Sequence, residues 1–370
     1  RPNVWVIVAL AVLVPFVLLC NALNVVLSVP DPVGLSLSLV GAFVPAALYT
    51  LLVLSVDRYE REPWRMVAGA LGWGALVATL FSGILNVFNA ALLGEFVATV
   101  IGAPLVEESL KGIALIGLLL MFRHELDNVL DGLIYGALIG MGFELMEDVL
   151  YLGGAYVEGG VARFGEEWLL RPVLTGSAHA LFTGTTGAAI GWARGQYQRG
   201  GLRFVVPILG WALAVLQHFL WNIGGTVLAV GMGTEVPGVV RLIVQTLVLM
   251  LPAALLLYLV VRLARRRERR VIREQLSSEV ERGVLTQAEY EMLGDESSRK
   301  RALSQARRER GRAGRRAQRE FFQAAAELAF RKHHLSRGDR PHTEAGSAPE
   351  DVYRAQIAAS RARLLSVPSE

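Results

Sequence analysis

Two glutamates and a lysine interrupt an apolar run at APLVEESLKG, Ala103 to Gly112: Glu107, Glu108 and Lys111. Three more acids, Glu144, Glu147 and Asp148, stand in FELMEDVLY, and histidines follow at His179 in SAHALFTG and His218 in HFLWN. Carboxylates and imidazoles are the side chains that move protons near neutral pH or hold a divalent metal. Their spacing groups them. Lys111 lies four residues after Glu107 and three after Glu108, so on a helix it can neutralise one of the two carboxylates. Phe143, Glu147 and Tyr151 fall on one helix face, as do Glu144 and Asp148. Asn222, four residues after His218, is positioned to hold that imidazole in one tautomer.

Every one of these groups sits in an apolar run. The chain has 370 residues, 53% of them hydrophobic, and a mean hydropathy of +0.42. Eight runs, at about 4–29, 35–55, 66–94, 96–122, 130–153, 173–193, 203–230 and 239–263, approach the roughly 20 residues that cross a bilayer as a helix. The composition therefore predicts an all-α, polytopic membrane helix bundle of about eight spans. The first run is too long for a signal-peptide core and lacks a small-residue cleavage pattern, so it reads as a span. A charge at mid-bilayer costs about 2.5–3.5 kcal/mol on insertion scales, which makes ionisable residues inside spans functional candidates.

Charge divides the chain. Up to Leu263 there are 13 Lys and Arg against 17 Asp and Glu; beyond it there are 24 against 16. The expected organisation is a membrane domain over 1–263, a cytoplasmic, basic, helical domain over 264–340, and a flexible tail over 341–370 with a short helix at 350–365. In the basic domain Thr286 and Glu289 have capping-box spacing, and Gly294 reads as a stop. The interspersed acids favour a helical hairpin near anionic headgroups over nucleic-acid binding. Cys20 is the only cysteine, which excludes an intrachain disulfide and a cysteine-based zinc site.

The arginine-bearing loops Asp57–Arg65, Phe122–Asn128 and Ala193–Arg203 fall on one side of an eight-span chain, together with the basic segment. The loops near Pro30–Gly34, Gly94–Glu95 and Gly231–Gly238 contain no Lys or Arg, and Val157–Arg171 has only Arg163 and Arg171. The positive-inside rule then sets both termini in the cytoplasm of a plasma-membrane protein. At 1.5 Å per residue, Glu107 lies roughly 15 Å and His179 roughly 9 Å below the outer face, with Glu147 and His218 also in the outer half. Four helices of alternating direction thus carry polar groups to one layer.

Taken singly, each group has a structural explanation: an ion pair for Glu107 with Lys111, interhelical hydrogen bonding for His179 and for His218 with Asn222, and a bystander role for Glu144. Taken together they are harder to dismiss as structural, because two carboxylate clusters and two histidines on four spans share one depth. A proton- or ion-coupled transporter uses similar relays, but no internal repeat of the transporter kind is evident.

These stretches resemble the PrsW family of intramembrane proteases, related to the type II CAAX prenyl endopeptidases and abortive-infection proteins. The resemblance rests on DRYEREPW (Asp57–Trp64), the EExxK of Glu107, Glu108 and Lys111, the DGxxYG entry from Asp131 to Gly136, FELMEDVLY, the histidine of SAHALFTG, and HFLWN. It implies an intramembrane protease with Glu107, Glu108, Glu147, His179 and His218 as catalytic groups, supported by Lys111, Asp148, Tyr151 and Asn222. Two chemistries stay open. In the first and slightly favoured one, Glu107 is a metal-independent general base; in the other, His179, His218 and a glutamate such as Glu147 hold a zinc ion. The implied substrate is a membrane protein in the bilayer, such as a single-span anti-sigma factor cut near the outer face. Asp148 departs from the asparagine usual in the family.

Overall fold

Buried in lipid, an apolar chain has only its own carbonyls to satisfy its N–H groups, and helices result. The computed structural model describes residues 4–57, 59, 62–122, 125–195, 200–233, 235–336 and 350–366. Among the described residues there is no strand. The helices are α1 (Val4–Ser28), α2 (Pro32–Leu54), α3 (Trp64–Gly72), α4 (Thr79–Leu93), α5 (Glu95–Val97), α6 (Ala103–Met121), α7 (Val129–Trp168), α8 (Ala178–Arg194), α9 (Leu202–Met232), α10 (Gly238–Gln245), α11 (Leu251–Glu281), α12 (Gln287–Leu293), α13 (Glu296–Ser336) and α14 (Glu350–Ser366). Short π-helical turns at Trp73–Ala78, Ala98–Gly102, Leu169–Thr175 and Thr246–Met250 join α3 to α4, α5 to α6, α7 to α8 and α10 to α11.

Among the described residues, five stretches are long and apolar enough to cross a membrane: Pro32–Leu54, Trp64–Leu93, Val129–Arg194, Leu202–Met232 and Gly238–Glu281. The chain is a multi-pass helical membrane protein. Local chemistry starts the helices where the sequence turns polar. Asp31 caps α2 by accepting from the Gly34 N–H at 2.7 Å, and Pro32 follows at a position that needs no N–H. Asn128 and Asp131 close a capping box at the start of α7.

The chain divides into two units, Arg1–Val56 with Glu62–Leu259, and Asp57–Arg61 with Val260–Glu370. In the first, the α7–α8 hairpin is the centre. Its most apolar stretch is largely buried, whereas those of α2, α3–α4, α9 and α10–α11 are largely exposed and offer their side chains to lipid. The segment Val157–Arg171, read from sequence as a loop, is helical: α7 continues to Trp168. Its direction changes at Gly159–Gly160, where Gly160 takes φ 61°, a left-handed conformation open to glycine.

The second unit is built on a core of Ile272, Leu276, Leu293, Phe321, Phe322, Leu328 and Ile357, with Tyr59 buried among them. The sequence reads 341–370 as flexible with a short helix; the structure has α14 packed here through Ile357, while 341–349 and 367–370 lie outside the described residues. Glu279 is the polar centre of this unit. Fully buried, it accepts from Lys332 Nζ at 2.7 Å and from Arg354 Nε at 2.9 Å, tying α14 and α13 to α11. The Arg354 hydrogen bonds, with help from Lys332 and against the effect of burial, hold its carboxyl down at about 2. A depressed carboxyl stabilises the fold above its unfolded value of 4.5, and that contribution is lost as pH falls toward 2. Amide exchange in α14, corrected for intrinsic rate, is therefore expected to rise over that window in the full chain. Glu279→Gln should cost about 1–3 kcal/mol, since Lys332 and Arg354 lose their shared buried acceptor charge, and should produce the rise already at neutral pH with little further acid dependence. Unchanged exchange in that variant would refute the assignment of Glu279 as the tie.

Candidate active site

Glycine on α7 lets α8 approach backbone to backbone. A Cβ on Gly132, Gly136 or Gly140 would lie 2.1, 2.4 and 2.2 Å from the carbonyl oxygens of Gly187, Thr183 and His179. As the α7 position advances by four the α8 partner retreats by four, which defines an antiparallel pair in fixed register. On another side of α7, a Cβ on Gly142 would lie 2.0 Å from the Leu71 carbonyl oxygen. Small residues at such crossings give membrane helices the close contact that apolar burial does not supply in lipid. His179, at the start of α8, is thereby set against Phe143 on α7, with ring centroids 4.9 Å apart.

Around His179 and His218 the charged groups of four helices converge. Lys111 on α6 donates from Nζ to Glu108 Oε1 at 2.8 Å and to His179 Nδ1 at 2.7 Å, and lies 3.7 Å over the Phe143 ring. Glu108 Oε2 accepts from Thr183 Oγ1 at 2.9 Å, and Oε1 is 3.3 Å from His218 Nδ1. The His179 and His218 rings stand edge to face at 4.9 Å, and Phe182 stacks on His218 at 5.1 Å. A carboxylate only accepts, so these partners assign the tautomers. His218 carries its proton on Nδ1 toward Glu108, leaving the Nε2 lone pair 3.9 Å from Glu107 Oε2. His179 carries its proton on Nε2, 3.1 Å from Glu147 Oε2, leaving the Nδ1 lone pair to Lys111.

Glu107 differs from Glu108. It is 4% exposed and accepts from Asn86 Nδ2 at 3.2 Å on Oε1, but its Oε2 is buried without a hydrogen bond. That oxygen faces Lys111 Nζ at 3.8 Å. Glu107, His179 and His218 each offer one ligand atom within 4.8 Å of the others. Two imidazoles and a carboxylate are a donor set suited to zinc, and carboxylates on the far nitrogens are the outer partners that hold such histidines in orientation.

The remaining sequence-expected groups arrange as follows. Glu147 Oε2 is held by Arg171 Nη2 at 2.6 Å as well as by His179, and Asp148 Oδ1 accepts from Arg171 Nε at 3.1 Å. Tyr151 lies under the Arg171 guanidinium at 3.7 Å. Glu144, read as a bystander, receives the backbone N–H of His179 at 3.4 Å near the start of α8, where helix N–H groups are free. Asn222 does not follow expectation. Its Nδ2 donates to the Thr99 carbonyl at 2.9 Å, in the π-helical turn before α6, instead of supporting His218.

Asn86, Arg171 and Thr183 are site residues that sequence reasoning missed. Thr183 had a signal, four residues after His179 on the same helix face, and Asn86 is an amide inside an apolar run. Arg171 had none, because it stood in a segment read as a loop, 23 and 24 residues from its partners on α7. Glu107, Glu108, Glu144, Glu147 and Asp148 outnumber Lys111 and Arg171, and a buried excess of carboxylates calls for compensating positive charge.

The model of a family described as PrsW family intramembrane metalloprotease matches residues 62–257. Protease PrsW of Bacillus subtilis (strain 168) is 31% identical over 161 residues, 41% of this chain and 69% of that protein. Protease PrsW of Geobacillus kaustophilus (strain HTA426) is 28% identical over 170 residues, 45% of this chain and 68% of that protein. Protease PrsW of Clostridioides difficile (strain 630) is 32% identical over 117 residues, 30% of this chain and 48% of that protein. No solved structure matches the chain.

Proposed function

The chain belongs to the PrsW family of intramembrane proteases, and from that premise we propose that it hydrolyses a peptide bond of a membrane-protein substrate at Glu107, His179 and His218, acting as ligands of a zinc-class metal. The observation that carries the metal reading is the convergence of these three buried side chains, with Glu107 Oε2 lacking a hydrogen-bond donor. A bound zinc ion supplies a Lewis acid and a water of lowered pKa. The protein's own part is orientation and charge. Glu108 fixes the His218 tautomer, and is itself fixed by Thr183 and Lys111. Glu147 accepts the His179 Nε2 proton and so turns the other ring nitrogen inward. Phe143, Phe182 and the close α7–α8 contact exclude bulk water from the imidazoles, which strengthens each electrostatic contact there.

One observation favours a metal-independent reading: the Lys111 ammonium already occupies the His179 Nδ1 lone pair at 2.7 Å. Glu107 is then the general base, and the imidazoles orient the water and bind the oxyanion. Metal analysis of the detergent-purified protein decides. The metal reading expects about one zinc-class ion per chain and loss of cleavage on chelation, restored by added metal. Cleavage of a membrane peptide by metal-free protein would establish the glutamate reading instead.

The topology we propose has eight spans and both termini in the cytoplasm of a plasma-membrane protein, by the loop-charge asymmetry. That orientation puts the cut in the outer half of the bilayer, and the substrate is a single-span membrane protein of the anti-sigma-factor kind. Cleavage without any ion gradient separates this function from a coupled transporter.

A further inference from the structure

We propose that Arg171 is a positioning residue of the proteolytic site, anchoring Glu147 so that this carboxylate holds the His179 imidazole in its working orientation. The inference rests on the reading of the site as a protease and adds to it a residue from the connection between α7 and α8. The guanidinium is fixed on several sides. Nη2 meets Glu147 Oε2 at 2.6 Å, Nε meets Asp148 Oδ1 at 3.1 Å, and the plane lies 3.7 Å over the Tyr151 ring. The oxygen that Arg171 grips is also the one that accepts from His179 Nε2 at 3.1 Å. One bond therefore sets the geometry of the next.

The local backbone suits this role. Arg171 stands in the π-helical turn Leu169–Thr175, which leads into α8 and carries Pro172. Such turns re-aim side chains that a regular helix would point elsewhere. The side chains of Arg171 and Glu147 are 22% and 20% exposed, against 7% for His179, so the pair forms the accessible rim of a buried centre. A planar fork that spans two carboxylates and an aromatic face defines a geometry that a single ammonium cannot reproduce.

The test compares Arg171→Gln, Arg171→Lys and the double variant Asp148→Asn with Arg171→Gln in the full chain, purified in detergent, cleaving a fluorogenic membrane peptide. Loss of a partner that orients a site histidine typically costs about 10- to 100-fold. Arg171→Gln is expected to lose that much in kcat with KM changed by less than about twofold, because the imidazole and not substrate binding is disturbed. Arg171→Lys, which can meet Glu147 but cannot span both carboxylates, should fall between Arg171→Gln and the unaltered chain. If Arg171→Gln fails to fold for want of counter-charge, the double variant removes one facing carboxylate, and its kcat should remain low because Glu147 still lacks its anchor. Unaltered kcat per folded molecule in Arg171→Gln or in the double variant would overturn the proposal, as would a loss confined to folded yield. Failure of the protease reading has a different signature, an unaltered chain that leaves the peptide intact, and it would overturn both.

Discussion

Glu107→Gln is expected to lower cleavage of a membrane peptide by about 10^3-fold while expression, membrane insertion and thermal midpoint stay near those of the unaltered chain. Both chemistries open to the site demand this result. Glutamine keeps the shape and can still accept from Asn86 Nδ2, but a neutral amide is a poor zinc ligand and takes no proton from water. Folding should survive for an electrostatic reason. The site carries more carboxylates than cations, so removing the one whose Oε2 has no hydrogen bond relieves repulsion and leaves no donor stranded. Glu108→Gln should behave differently, because Glu108 serves Lys111, Thr183 and His218 together. That variant is expected to lose stability as well as rate, since the fully buried ammonium of Lys111 would lose its closest carboxylate. Full activity in Glu107→Gln would sink the assignment of the reacting carboxylate.

What the sequence could and could not reveal follows from how each contact is made. Glu107, Glu108, Glu147, His179 and His218 were legible because charge inside an apolar run is costly enough to need a reason. Helix direction and rise then brought them to a common depth; the structure joins Glu108, Glu147, His179 and His218 through hydrogen bonds and sets Glu107 beside His218. The helical class was legible for the same reason, since lipid leaves little alternative. Contacts set by the π-helical turns were not. Arg171 looked like one of two arginines in a loop, and only the continuation of α7 past Gly160 and the π-helical turn bring it back to Glu147. The i,i+4 rule suggested Asn222 for His218, but the Thr99 carbonyl in the turn Ala98–Gly102 competes for the amide and wins. Which carboxylate joins the two imidazoles depends on side-chain direction, invisible to spacing: Glu107 lies with both, while Glu147 is held by Arg171.

Gly140→Ala should then be nearly as damaging as loss of a reacting group, although it changes no charge. The added Cβ would lie 2.2 Å from the His179 carbonyl oxygen, 2.5 Å from its carbon and 2.8 Å from the Ala180 nitrogen. All three are backbone atoms, so no side chain can swing aside, and the helices themselves must part. Overpacking of this kind costs about 1–3 kcal/mol. The rate suffers further, because the displaced residue is His179, whose Nδ1 and Nε2 face Lys111 at 2.7 Å and Glu147 at 3.1 Å. A misplacement of about 1 Å at a reacting group can lower a rate roughly 10^2-fold. Gly154→Ala is the matched control on the same helix, where a Cβ meets nothing within 4 Å. There the exchange should keep full activity and raise the thermal midpoint slightly, since alanine favours a helix over glycine by about 1 kcal/mol. Equal behaviour of the two variants in cleavage and thermal unfolding would mean that the α7–α8 crossing does not set His179, and the register of that crossing would lose its part in the mechanism.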